Sequence, residues 1–168
     1  MEGNLTTATI DGRYAAVLNE FVKAGSKGNS DVIHGKALGP KPRYFLVGDE
    51  PVVKDYITGA PFSGGLNQIL VNAFETLRAK YGAEPKDCYT TYLVKTTFRK
   101  GELSERDIED YWLPALQVEY QASGCDTVVC LGPKARQFSG RIGIRPAVLG
   151  PMGGIANRLK RAWEAFRG

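Results

Sequence analysis

Apolar positions along this chain alternate between two spacings. Tyr14, Val17, Leu18 and Phe21 lie three and four residues apart, as on one helix face, and Gly25 ends that stretch. Residues 26–42 are rich in Gly, Lys and Pro and read as a surface loop. Tyr44 to Val47 is then a short apolar run closed by a turn, which predicts a buried strand. Helical spacing returns with Leu66, Ile69, Leu70, Ala73, Phe74 and Leu77 as far as Gly82. A second strand is predicted from about Tyr89 to Val94, and a basic, Gly-containing loop from Lys95 to Gly101. Ser104, with Asp107 three residues on, suits a helix start, and Ile108, Trp112, Leu116 and Tyr120 share that helix's face. Thr127 to Leu131 is continuously apolar, as in a strand covered on both faces, and Pro146 to Leu149 is a fourth candidate. Ile155, Leu159, Ala162, Trp163 and Phe166 form a last amphipathic helix. Strands alternating with helices predict an α/β fold, a three-layer α-β-α sandwich around a central, mostly parallel four-stranded sheet.

At 168 residues the chain has room for one packed core, and no repeat, linker or second domain interrupts it. A single domain over 1–168 is therefore expected, with about 1–10 as candidates for disorder. A hydrophobic fraction of 43% with 24% charged residues is that of a soluble globular protein. The net charge of +4 mildly favours a polyanionic partner. The start, Met1-Glu2-Gly3-Asn4, has neither a basic nor an apolar leader region, and no apolar run approaches membrane-spanning length, so a cytoplasmic location without membrane association is expected. Cys88, Cys125 and Cys130 are too few and too irregular for a disulfide framework and read as small buried hydrophobes.

Candidate chemistry concentrates between Phe45 and Gly65. Asp49 and Glu50 emerge at the carboxyl end of the first predicted strand, where open α/β sheets place their ligands. Phe62 stands between Pro61 and Ser63-Gly64-Gly65, which suggests a shaped loop presenting the ring.

These residues, in this order, resemble the uracil-DNA glycosylase superfamily, and most closely its family-4 type with phage relatives. That family runs a strand into a Gly-Glu-x-Pro-Gly turn, then an acidic linker, Thr-Gly-x-Pro-Phe and a Gly opening a helix. Gly48-Asp49-Glu50-Pro51 and Thr58-Gly59-Ala60-Pro61-Phe62-Ser63-Gly64 align to it without a gap. Further on, Tyr89-Thr90-Thr91-Tyr92-Leu93-Val94-Lys95 is similar to the family's Tyr-x-Thr-Asn-Val-Val-Lys strand, and Leu131-Gly132-Pro133-Lys134-Ala135 to its Leu-Gly-x-x-Ala helix start. The resemblance covers roughly residues 43–138.

It implies a DNA partner, an extruded base, and hydrolysis of an N-glycosidic bond through a transition state with oxocarbenium character. A carboxylate near the sugar stabilises the positive charge and orients water. Asp49 aligns with the family-4 Glu, and Glu50 with the water-directing Asp of the family-1 enzymes; either fits, with Glu50 slightly favoured. Gly48, Pro51, Phe62 and Tyr92 would line the base pocket, and ring stacking contributes about 1–3 kcal/mol per base. Lys95, Arg99, Lys134 and Arg158 would hold phosphates, helped by amides at the helix start after Gly132, while Gly150, Met152 and Gly153 would form a late DNA-contacting loop in which Met152 can wedge into the stack.

Departures from the pattern shape the expectation. Thr96 and Trp112 stand where family-4 proteins place two cluster cysteines, no cysteine precedes Cys88, and no iron-sulfur cluster, other metal or cofactor is expected. The family's uracil-reading Asn is Tyr92, which has one hydroxyl instead of a paired donor and acceptor. Its late His is missing; the single histidine, His34, lies in the early loop. Val52 replaces the Gly after the proline. Two functions follow: a glycosylase of altered specificity, or a catalytically weak DNA- or modified-base-binding accessory factor of replication or repair. A generic nucleotide-binding domain is weaker, since neither Gly-rich phosphate motif is present. A monomer is expected.

Overall fold

The computed structural model describes residues 32–64, 67–97, 103–139 and 146–148. The helices expected near 14–21 and 155–166, and the residues Arg99, Gly150, Met152, Gly153 and Arg158, lie outside them.

The described elements follow the order β1 (Lys36–Ala37), β2 (Tyr44–Gly48), α1 (Val53–Thr58), α2 (Asn67–Tyr81), β3 (Cys88–Tyr92), α3 (Glu105–Asp107), a π-helical turn (Ile108–Trp112), α4 (Leu113–Ser123), β4 (Thr127–Cys130), α5 (Pro133–Ser139) and β5 (Pro146–Val148). The sheet order is β1-β3-β2-β4-β5. β2 pairs in parallel with β3 on one side and β4 on the other, and β4 pairs in parallel with β5. These are the four parallel strands expected. The addition is β1, which pairs antiparallel with β3 through Lys36↔Thr90 and Ala37↔Tyr89. It lies inside the stretch read as surface loop, and two residues are too few to show an alternation.

β2 and β4 bury residues on both faces, which is why their sequences are largely apolar runs, whereas β3 buries Thr90 and Thr91 as well. Phe45 and Val47 of β2 face a cluster with Ile108, Trp112, Leu113, Leu116 and Phe138, whereas Leu46 packs with Leu70, Ala73 and Leu77 of α2 on the opposite side. Helices on both faces make the three-layer sandwich. The start of α3 follows the expected cap: the Asp107 amide donates to Ser104 Oγ (3.1 Å) and the Ser104 amide to Asp107 Oδ2 (3.2 Å). The π turn precedes Pro114, which has no N–H to donate and cannot continue a regular helix without local adjustment.

All three cysteines are buried free thiols. Burial is the largest influence on two of them, raising Cys88 from 9.0 to about 12 and Cys125 from 9.0 to about 11. The folded state therefore keeps protons that the unfolded chain releases above pH 9. Stability present below that pH is lost as pH rises toward the folded values. A urea midpoint that falls between about pH 8 and 10.5, and falls less in a Cys88→Ala/Cys125→Ala variant, is the expected outcome. An equal alkaline fall in both proteins would contradict it.

Candidate active site at the carboxyl ends of the central strands

The chain leaves β2 toward β3 on one side of the sheet and leaves β4 toward β5 on the other. The crevice beyond the carboxyl ends of β2 and β4 is therefore the switch point of the sheet, the place where such folds bind ligands. Gly48, Asp49, Glu50 and Pro51 occupy the β2 side of it, and Gly132 to Ala135 the β4 side. The β2 turn is laced to its neighbours: the Leu93 amide donates to Gly48 O (2.8 Å) and the Val94 amide to Asp49 O (3.0 Å).

The two carboxylates have separate surroundings. Asp49 Oδ1 accepts from the Ala135 amide at 2.8 Å and lies so close to Gly132 that a Cβ there would collide with it. That amide is one of those expected to hold phosphate; it is taken by Asp49 instead, and the bond ties the β2 turn to the start of α5. Glu50 keeps 40% of its side-chain surface and stands 3.9 Å from the Lys134 ammonium, itself 47% exposed. A pair this open contributes little to stability and can be re-partnered at small cost. Both carboxylates are half-buried, and Glu50 differs in that its partner is an open ion pair instead of a backbone amide.

Behind the turn, α1 carries a carboxylate that sequence reasoning passed over. Asp55 is fully buried. It accepts from the Val52 amide (3.0 Å), the Ser63 amide (2.8 Å) and the Tyr92 hydroxyl (2.6 Å). The first of these is the N-cap to N3 half of a capping box, and the Val52-x-x-Asp55 spacing was its available signal. The other two reach across to the Phe62 loop and to β3.

Phe62 sits in the shaped loop expected of it, with a left-handed φ of 59°. Its ring, however, is not presented to solvent: Phe62 is only 3% exposed and belongs to the core cluster on the α2 side. The ring stacks on Tyr92 with centroids 4.7 Å apart and planes inclined by 29°. The Phe62 amide also donates to the Tyr92 hydroxyl at 2.9 Å. Gly48 permits this packing, since a Cβ there would meet Phe62 Cζ at 2.8 Å. Tyr92 is itself fully buried, and burial followed by the Asp55 hydrogen bond raises its hydroxyl far above the ordinary tyrosine value. It remains a donor to Asp55 across the physiological range. Pro51, also expected at the base pocket, is buried at the mouth of the turn.

Lys95 requires a correction. Expected at the DNA surface, it is wholly buried: Nζ lies 2.9 Å from Glu119 Oε1 and donates to Thr91 Oγ1 (3.1 Å) and Tyr92 O (2.6 Å). Glu119 also accepts from the Tyr89 hydroxyl at 2.7 Å. A phosphate has no access to this ammonium. Beyond it the chain is anchored by Tyr56, whose hydroxyl accepts from the Thr97 amide at 2.8 Å and bonds Thr96 Oγ1 at 3.3 Å.

The positions where family-4 resemblance would place cluster ligands do not suit iron. Thr96 is a hydroxyl engaged with Tyr56, and Trp112 is packed into the core; neither supplies a thiolate. Among the described residues no group of three or more His, Cys, Asp or Glu side chains is arranged to hold a metal ion.

The fold, the switch-point turn and the motif order all point one way, and the comparison with protein families agrees. The model of the uracil DNA glycosylase superfamily matches residues 36–164. The chain belongs to this superfamily. No curated protein matches it. Among the described residues no helix is long and apolar enough to cross a membrane.

Proposed function

We propose that the protein binds DNA and hydrolyses the N-glycosidic bond of a deaminated or otherwise modified base, with Glu50 as the carboxylate that orients the attacking water. The observation that carries this reading is the division of labour in the turn, where Asp49 is committed to the Ala135 amide while Glu50, with 40% of its side chain exposed, is held among the described residues by nothing closer than the open pair with Lys134 at 3.9 Å. In the reaction the C1′–N bond breaks with its electron pair going to the base. Water oxygen bonds to C1′, its proton passes to Glu50, and the departing base is finally protonated. Lys134, beside Glu50, is suited to a DNA phosphate. Arg99, Arg158 and the Gly150, Met152 and Gly153 loop remain proposed DNA contacts on sequence grounds.

A second reading, a DNA- or modified-base-binding accessory factor without efficient excision, is favoured by one specific feature. The Tyr92 hydroxyl is already engaged by Asp55 and the Phe62 amide, leaving no paired donor and acceptor there for a uracil edge. Single- and double-stranded oligonucleotides carrying uracil, hypoxanthine, xanthine or 5-hydroxymethyluracil separate the two. Base release from one of them supports the enzyme; salt-sensitive binding without release supports the accessory factor; no binding at low salt contradicts both.

A further inference from the structure

The ring that the resemblance assigns to base stacking, Phe62, is already covered by another side chain of the protein, Tyr92. A ring that offered a face to an incoming base would expose much of that face, yet Phe62 is 3% exposed and Tyr92 is wholly buried. The two rings lie 4.7 Å apart at 29°, an offset stack of the kind a base and an aromatic ring adopt. Tyr92 is held there by two hydrogen bonds at its hydroxyl. Its hydroxyl donates to Asp55 Oδ2 at 2.6 Å and accepts from the Phe62 amide at 2.9 Å, while Asp55 Oδ1 fixes the next residue through the Ser63 amide at 2.8 Å. The same hydrogen bonds that hold the Phe62 loop in its left-handed turn therefore hold the Tyr92 ring against it.

We propose that Tyr92 is the specificity-determining residue of the pocket: its ring fills the nucleobase position on Phe62, and a base enters only when that ring is displaced. This rests on the proposed function and on Phe62 being the base-stacking ring that the resemblance implies. Apparent affinity for a base is lowered by the small fraction of molecules in which Tyr92 is out. Bases that stay stacked in DNA are rejected, and those that unstack readily, such as damaged or mispaired ones, are favoured. Removing the ring leaves a cavity bounded by Phe62, its apolar neighbours and the Asp55 carboxylate, a space the size of a planar ring with one hydrogen-bond acceptor at its end.

The test uses free uracil and free hypoxanthine as probes, with binding read by NMR on full-length wild type, Tyr92→Ala, Tyr92→Asn and Tyr92→Phe. Tyr92→Ala and Tyr92→Asn are expected to bind a free base at least about tenfold more tightly than wild type, whereas Tyr92→Phe, which keeps the ring, stays closer to wild type. A purely structural role for Tyr92 would lower the melting temperature without creating base binding. The asparagine variant serves if the alanine variant does not fold. The proposal is overturned if wild type binds the free bases as tightly as the opened variants, or if a folded opened variant binds neither. DNA binding and base release by wild type are scored separately. Base uptake by an opened variant whose parent does not bind DNA would remove the proposed function and leave the filled pocket, and the converse would do the opposite.

Discussion

Glu119→Ala lowers the stability of the protein by about 3–5 kcal/mol in urea unfolding, the loss typical of removing one partner from a buried ion pair. Both side chains of the Lys95–Glu119 pair have no exposure, so the alanine leaves a buried ammonium without its counter-charge. It also leaves the Tyr89 and Thr91 hydroxyls without the carboxylate oxygens that accept from them at 2.7 Å and 2.9 Å. Burial pushes the Lys95 ammonium below its ordinary 10.5, and Glu119 opposes that shift. With Glu119 gone, the folded state binds this proton less readily still, while the unfolded chain binds it up to about pH 10.4. The unfolded state then carries more protons across the interval between the two values, and the variant should regain stability as pH rises through it. Replacing both residues together by Met and Leu should cost much less than either single truncation. A single-truncation loss below about 1 kcal/mol would mean that the network is not closed to water.

Asp55→Ala is expected to be the next most damaging change, at about 3 kcal/mol. Three donors lose their acceptor at once: the Val52 amide, the Ser63 amide and the Tyr92 hydroxyl. Each costs about 1–3 kcal/mol if it stays buried and unpaired, and rearrangement of the loop recovers part of the sum. Asp55→Asn should cost less, because its one carbonyl oxygen still accepts while its amide cannot. The distinguishing measurement is hydrogen exchange. The Phe62 and Ser63 amides should exchange much faster in Asp55→Ala, with the β4 amides changed only by the global loss of stability. Unchanged protection at Phe62 and Ser63 would show that Asp55 does not hold the loop.

Elements were legible in this sequence wherever a local signal and burial agreed. Ser104 and Asp107 announced a capping box, and the unbroken apolar runs at Tyr44 and Thr127 announced strands covered on both faces. The order of strand, carboxylate turn and Pro-Phe loop located the site. What could not be read was each side chain's burial, which is set by contacts between distant segments. Lys95 looked like a phosphate ligand because lysines are mostly solvated, and its partner Glu119 lies on a helix face 24 positions on, with no local pattern to join them. Pro61 and the glycines correctly implied a shaped loop at Phe62, but nothing nearby revealed that Tyr92 would close over its ring. β1 was too short to carry a periodicity, and Asp55 was hidden as one more charge on a short helix.

In the proposed reaction Glu50 is the working carboxylate of a glycosylase site built on the β2 turn. The most direct measurement is single-turnover release of uracil or hypoxanthine from a single-stranded oligonucleotide by wild type, Glu50→Gln and Asp49→Asn. Wild type should release base. Glu50→Gln should be slower by about 100- to 10,000-fold with DNA binding retained, as for loss of a general base. Asp49→Asn, which keeps an oxygen to accept from the Ala135 amide, should lose far less. Release that survives Glu50→Gln undiminished, or no release by wild type from any of these substrates, would contradict the assignment.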